Sequence, residues 1–530
     1  MVAVYKSLLD KAERRPFKVT VIVALFILLP PCFLRITHMP DEGRYAEVSR
    51  ETLVTQNGLV PHINGVPHLT KPPLYYNLGA AFLFLFGIHI FSIRLLSLCA
   101  FLIGLFWCVR WAMKRGGGKA SLLGGMIGAT IFQSAAQAQF ADLNMLFSFW
   151  LMGGLLLFFD ALERPENKAS WCGAWIFFAL AFLTKGPPAL MIPLITIILF
   201  RLVSGRKFAL PLSRWILGIA LFCLIAFPWY IWIFLHERER LTHFWFDNIF
   251  RKTVLGEEKG SHYPGYYIPV FLIGGAGWSF LSLSELISNF KSRRKDLKSA
   301  HPSGGSPQKD HGKRIVDSIR RMPHDQLWLL CWILATIIPF SLILAGMISY
   351  ILPCYPAFAL YLALYFARKG EGFEQKKIRR TFLFSIVFFI LVVWSWSLYG
   401  YVSVHSRSPR LLSLFPKRLE PSWINRRIRS FGKESYLLIQ FDYFTPIFNF
   451  ENQRNSVLVW ESVNSQWPPP PNLRYAIEEL QHHVRNNRPI ALIVQPHNYQ
   501  FISGEGWENL HVYFRGEHFI LLVTDSLGAH

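Results

Sequence analysis

The chain lacks a cysteine framework. No Cys-x-x-Cys pair occurs, and its seven cysteines, Cys32, Cys99, Cys108, Cys172, Cys223, Cys331 and Cys354, all lie in or beside apolar stretches. That excludes a disulfide scaffold and a cysteine zinc site, and leaves packing as their role. Acidic residues are scarce as well: 33 Asp and Glu stand against 55 Lys and Arg, a net charge of +22. Such a balance could serve nucleic acid, but the cations fall in short clusters between apolar spans, the pattern of positive-inside topology, so no nucleic-acid partner is expected. There is no small-residue cleavage site after the first apolar stretch, Val19–Leu34; Pro30-Pro31-Cys32 and then Arg35 follow. This reads as an uncleaved anchor. No internal repeat is visible, which argues against a transporter built from paired halves.

What the chain has in abundance is apolar length. Hydrophobic residues make up 52% of its 530 positions and aromatics 16%. Crossing a bilayer takes about 20 helical residues, and many segments qualify. Spans are expected near Val19–Leu34, Ser92–Trp111, Ala120–Gln139, Met145–Leu162, Trp171–Thr184, Ala189–Val203, Trp215–Leu235, Tyr266–Ile287, Leu327–Ala345, Ile351–Phe366 and Phe382–Tyr401. Pro72–Phe91 is apolar too, but Arg94 follows at once. It fits better as an interfacial helix or one leg of a re-entrant pair than as a crossing. The expected class is a polytopic α-helical membrane protein with about 11–13 transmembrane helices, its membrane domain covering residues 1–401.

Placing the basic clusters inside makes the N-terminus and the 289–325 loop cytoplasmic. That loop carries Pro302-Ser303-Gly304-Gly305-Ser306-Pro307 among many cations and has the composition of a flexible connector. Residues 402–530 then lie outside. There Ser435–Gln440, Ser456–Trp460, Ile490–Val494 and Phe519–Thr524 read as strands and Asn472–Arg485 as a helix, giving a small α/β domain. The basic run from Arg407 to Arg429 runs against that outer placement unless it meets anionic lipid heads.

With this topology the unusual polar motifs share the outer face. The 35–91 segment carries Pro40-Asp41-Glu42-Gly43-Arg44-Tyr45-Ala46-Glu47 and Leu69-Thr70-Lys71-Pro72-Pro73-Leu74-Tyr75-Tyr76. Gln137-Ala138-Gln139-Phe140-Ala141-Asp142, Thr184-Lys185-Gly186-Pro187-Pro188, the 236–266 loop and Ser349-Tyr350-Ile351-Leu352-Pro353 join them. Carboxylates abstract protons or hold metals, and cations hold phosphates, which is equipment for group transfer from a lipid phosphate. Singly each has a plainer reading: Asp142 as a helix cap, Lys185 as a snorkelling cation, His262 as a loop bystander, Tyr350 as part of an aromatic belt.

Taken in order, Asp41–Glu47, Lys71–Tyr76, Leu183-Thr184-Lys185-Gly186-Pro187 and Ser349–Pro356 resemble the motif series of the ArnT-like glycosyltransferases. These comprise lipid A aminoarabinose transferases and relatives in the protein-mannosyltransferase group. The resemblance covers roughly residues 15–400 and implies a GT-C fold, a periplasmic active site at the bacterial inner membrane, and a sugar donor carried on polyprenyl phosphate. It puts Asp41, with Glu42, in the place of the catalytic carboxylates. Arg44, Lys71, Lys185 and Arg251 would contact donor or acceptor phosphate, and Tyr45, Asp142 and Tyr350 would line the cavity. The family commonly sets a glutamate before Lys-Pro-Pro to help hold a metal. Here that residue is Thr70, which leaves His262 as the metal candidate and a divalent metal as an open cofactor. The expected partners are the polyprenyl-phosphate sugar, a glycolipid or protein acceptor, and membrane lipids. Protein O-mannosyl transfer and lipid-linked glycan ligation are the rival chemistries on the same fold. Transport of a lipid-linked sugar is the rival of another class.

Overall fold

The computed structural model describes residues 2–37, 41–205, 211–238, 263, 265–300, 322–342 and 346–405, and from there 424, 428, 436–441, 452, 457–459, 474–475, 477–496, 499, 502, 507–515 and 519–524, leaving some side chains within these unplaced. The chain forms two compact units. The first comprises residues 1–29, 97–139 and 143–392; the second comprises 30–96, 140–142 and 393–530.

The first unit is a stack of apolar helices. Over the described chain six helices are long and apolar enough to cross a membrane: Pro16–Leu34, Ile90–Thr130, Leu143–Glu163, Leu212–His236, His324–Leu342 and Lys376–Val402. The 41-residue helix Ile90–Thr130 holds two of the expected crossings, because Gly117, at φ 68°, breaks it. The expected span Tyr266–Ile287 is not one straight helix. Tyr267–Gly274 and Gly277–Asn289 meet at 108°, and Ala276 at the break has φ 47°. The sequence Gly274-Gly275-Ala276-Gly277 explains the bend, since three of four residues there lack a side chain to hold the helical path. Carbonyls loosened by the break find donors: Tyr355 Oη donates to Val270 O at 3.3 Å and Ser279 Oγ to Phe271 O at 3.3 Å. The Pro188–Ser204 helix, at 17 residues, is apolar but shorter than a full crossing.

The second unit contains the motif-bearing segment. Its first helix, Asp41–Thr55, is amphiphilic only in the sense that it buries charge: Glu42, Glu47, Arg50 and Glu51 are all buried. A two-stranded hairpin follows, β1 (His62–Ile63) and β2 (Val66–Pro67), then the apolar helix Leu74–Phe86, 13 residues long within the expected Pro72–Phe91 segment. The hairpin turns on Asn64 and Gly65 at φ 52° and 77°, values that Asn-Gly adopts readily. The Asp41–Thr55 and Leu74–Phe86 helices pack where Gly79 faces Ser49, with no room for a Cβ.

The same unit holds the C-terminal α/β domain. Strands β3 (Leu437–Phe441), β4 (Val457–Val459), β5 (Arg474–Tyr475), β6 (Ile490–Val494), β7 (Leu510–Arg515) and β8 (Ile520–Thr524) form one sheet in the order β5-β4-β3-β6-β8-β7. The β5-β4-β3-β6 half is parallel and the last two pairings are antiparallel. Alternate residues of β6 and β8 enter opposite cores. Ile490, Leu492 and Val494 meet Leu480 and Val484 of the Ile477–Arg485 helix, while Ala491 and Ile493 share the other core with Ile424 and Ile428. The expected helix over Asn472–Arg485 starts later, because Arg474–Tyr475 are taken by the sheet edge.

Candidate active site

Asp41 opens its helix, and Asp41 with Glu42 fills a first turn that favours negative charge. The two carboxylates have different fates. Asp41 is partly exposed and accepts a hydrogen bond from Arg44 Nη2 at 2.5 Å. Glu42 has no exposed surface. Arg35 donates to its two oxygens at 2.7 and 3.0 Å, Arg94 at 3.0 and 3.0 Å, and the Ala141 N–H at 2.8 Å. Burial works against its charge, but the two guanidiniums outweigh burial and hold its pKa below the usual carboxylate range. A base needs a lone pair facing the acceptor. The expectation that Glu42 shares that role with Asp41 is therefore corrected: Glu42 is a brace.

Arg94 does double duty. Besides gripping Glu42 it donates to the carbonyls of Cys32, Arg35 and Ile36, closing the C-terminal end of the Pro16–Leu34 helix. The Ala141 N–H bond, with Arg35 stacked 4.0 Å above the Phe140 ring, fixes the strip Phe140–Asp142 to the helix that carries Asp41.

Around Tyr45 the expected residues gather. Its phenol is driven well upward by burial, resisted by Arg44 and assisted by Tyr76, Asp41 and Asp142. Its ring lies 5.4 Å from Tyr75 and 6.1 Å from Tyr76. Arg44 stays charged although burial opposes it, because Tyr45 and Asp41 favour the cation. Its guanidinium lies 5.3 Å from the Tyr45 ring centre, and its Nε is buried with no hydrogen-bond partner among the described residues. On the approach to Lys71, Thr70 Oγ1 lies 2.5 Å from Nε2 of the fully buried His68. Burial, with Arg44 and Lys71 adding their fields, pushes the His68 pKa well down, so that ring is neutral.

The hairpin that leads to Lys71 is clasped by Glu51, whose carboxylate accepts from the Asn64 N–H and, at 2.9 Å, from the Gly65 N–H. Glu47 is buried with Arg50, which donates to it at 2.8 and 2.8 Å. Burial nonetheless pushes Glu47 up to about 8, against Arg50 and with help from Glu51.

The first unit brings together Lys185 and Tyr350. Lys185 ends the Lys168–Lys185 helix, which Gly186 terminates at φ 83°. Its Nζ donates to Asn144 Oδ1 at 2.6 Å and lies 4.6 Å from the Tyr350 ring centre and 5.2 Å from that of Phe147. An ammonium held over two rings keeps its charge away from hydrocarbon. Arg251 and His262 lie outside the described residues, as do most of the Arg407–Arg429 run and the middle of the 289–325 loop. Among the described residues no three His, Cys, Asp or Glu form a group able to hold a metal.

Sequence reasoning missed Arg35, Arg94, Glu51 and Asn144. Asn64-Gly65 between short apolar runs was a readable hairpin signal; Asn144 offered none, because its partner is 41 residues away.

Residues 70–232 match the family model for dolichyl-phosphate-mannose-protein mannosyltransferase. An undecaprenyl phosphate-alpha-4-amino-4-deoxy-L-arabinose arabinosyl transferase 2 from Proteus mirabilis is 28% identical over 68% of this chain and 61% of its own length. The corresponding transferase from Edwardsiella ictaluri is 26% identical over 73% of this chain and 66% of its own. The chain thus matches less than two thirds of these relatives. In structure it resembles ArnT from Cupriavidus metallidurans, solved with undecaprenyl phosphate and in the apo state. The TM-scores are 0.71 and 0.70 at 17% identity, covering 97% of this chain and 98% of that one in each case.

Proposed function

We infer, from a chain that is ArnT-like in sequence and fold, that it is a membrane glycosyltransferase that takes its sugar from a polyprenyl-phosphate donor. The observation that carries the reading is the Asp41–Arg44 pair on a buried, braced helix N-terminus, with Asp142 and Lys71 beside it.

The chemistry is displacement at the anomeric carbon. The C–O bond to the lipid phosphate breaks as the acceptor oxygen bonds to that carbon, and the lipid phosphate leaves carrying the electron pair. Cations offset the charge it gains, and a guanidinium can meet two phosphate oxygens at once. Arg44 suits this, with a buried Nε–H that has no partner among the described residues. Lys71, and by motif Lys185 and Arg251, are the further phosphate contacts. A hydroxyl acceptor would lose its proton to Asp41. A lipid phosphate acceptor, already ionised, would need no base, and Asp41 would then orient the acceptor or a cation. By the resemblance, Tyr45, Asp142 and Tyr350 are the residues that would line the donor's cavity.

We place this chemistry at the periplasmic face of a bacterial inner membrane, with the N-terminus cytoplasmic and the C-terminal domain outside, since that arrangement leaves the basic clusters of residues 1–401 inside, the Arg407–Arg429 run alone standing against it. The acceptor class is a lipid A-like glycolipid; the relatives' names support the sugar donor more directly than the acceptor. The test is the fate of a labelled polyprenyl-phosphate sugar in vesicles. Label moving to another lipid or glycan supports transfer, label crossing the bilayer unchanged supports transport, and neither outcome refutes both.

A further inference from the structure

The ArnT-like group implies a divalent metal beside the lysine that holds the donor phosphate, and among the described residues, which do not include His262, this site does not suit one. The residue before Lys71 is Thr70, a neutral hydroxyl where a carboxylate would be needed. That hydroxyl is already engaged, 2.5 Å from Nε2 of His68. His68 has no exposed surface, so its ring serves the interior. Burial is the main cause that keeps a proton off that imidazole, and Arg44 and Lys71, which add to it as positive charges, would also oppose a dication. Of the nearby carboxylates, Asp41 is bound by Arg44 at 2.5 Å and Asp142 is buried. Oxygen and nitrogen sites hold dications with several donors, usually including anionic ones. Here the donors are neutral, buried or neutralised.

We propose that the Arg44–Lys71 site takes a phosphate on organic cations alone, with the His68–Thr70 pair standing where the group's metal-binding carboxylate would be. The inference rests on the polyprenyl-phosphate reading and deepens it. Two fixed positive charges suit a phosphodiester carrying one negative charge, and the charge that appears on the leaving phosphate is met without a metal. His68 and Thr70 act as positioning residues for Lys71. A neutral, buried imidazole held by a hydroxyl shapes the chain just before the lysine and adds no charge that would compete with the phosphate.

The experiment uses the full chain in nanodiscs after exhaustive chelation, with bound metal counted by mass spectrometry and undecaprenyl phosphate as the probe. The chelated protein is expected to bind the probe within about twofold of untreated protein, and Arg44→Ala or Lys71→Ala to weaken that metal-free binding by about tenfold or more. Binding that falls about tenfold on chelation and returns with zinc overturns this proposal while leaving the polyprenyl-phosphate reading intact. No binding with or without metal overturns both. Full binding by the chelated Arg44→Ala and Lys71→Ala variants overturns the assignment of the site. Thr70→Val, which removes the hydroxyl at equal size, should raise the donor KM with little change in kcat; a lowered melting temperature with unchanged KM would make the pair merely structural and refute its positioning role.

Discussion

Arg94 grips Glu42 through two parallel hydrogen bonds of 3.0 Å, joining residues 52 positions apart where neither has more than a trace of exposed surface. Arg35 takes the same carboxylate from the other side. One anion thus anchors the end of one helix, the start of the next and the strip bearing Asp142. Removing one partner from a buried ion cluster leaves an uncompensated charge, at a cost of about 3–5 kcal/mol. Glu42→Gln, which leaves Arg35 and Arg94 facing each other without their anion, should therefore lower the melting temperature in detergent sharply; Arg94→Met leaves Glu42 paired with Arg35 and should lower it less, through the carbonyls of Cys32, Arg35 and Ile36 that lose their donor. A Glu42→Gln protein with wild-type melting behaviour and no activity would return Glu42 to the chemistry.

Asp41→Asn should leave protein level and melting unchanged while cutting transfer by on the order of 100- to 1,000-fold, the scale of losing one transition-state contact. Single-turnover assays with purified protein measure this. Near-normal turnover in the folded variant would remove Asp41 from the reaction.

Lys185 and Asn144 should behave as one unit. If Asn144 aims the ammonium across Tyr350, Asn144→Ala and Lys185→Ala should each impair transfer, and the double variant should be little worse than either. A coupling of about 0.5–3 kcal/mol is expected for residues in direct contact. Additive losses would show that they act separately.

The helix that carries Asp41 holds two carboxylates with opposite pH habits. Glu42's folded pKa is depressed, so its contribution is present above its unfolded value of 4.5 and fades as pH falls below it. Glu47's is raised from 4.5 to about 8, so the folded form keeps a proton that the unfolded chain has lost. Stability from this residue falls as pH climbs between those values and then levels off. Glu47→Gln should flatten the decline in melting temperature between pH 4.5 and about 8, limits set by those two pKa values. An unchanged slope would mean that Glu47 is ionised with Arg50 throughout.

Orientation is tested by fusion reporters. One after Tyr401 should read as periplasmic and one in the 291–321 loop as cytoplasmic. Reversal would place Asp41 in the cytoplasm and dismiss a periplasmic donor site.

The contiguous motifs were legible because their residues are neighbours in the chain: Asp41 and Arg44 sit one helical turn apart, and that spacing alone pairs them. Most apolar helices were legible for the same reason, since hydropathy is a local property. Long-range neutralisation was not. Arg94 read as a stray cation that made Pro72–Phe91 awkward as a crossing, whereas it shares the buried carboxylate of Glu42 with Arg35, a pairing that no local pattern shows. The bend at Gly274–Gly277 was written in the glycines but masked by the apolar residues around them. The late start of the Ile477–Arg485 helix depended on which strand Arg474 and Tyr475 join, which only the assembled sheet decides.

The clasp of Glu51 on Asn64 and Gly65 bears on how fast a substrate can be captured. The segment between the Asp41 helix and Lys71 is tied down partway along, so Lys71 hangs from a short tether whose freedom is already spent before any phosphate arrives. Association then requires no slow loop search and should approach the rate at which lipid diffuses to the site. Cutting the clasp with Glu51→Ala, which removes both acceptors, would trade that readiness for a wait.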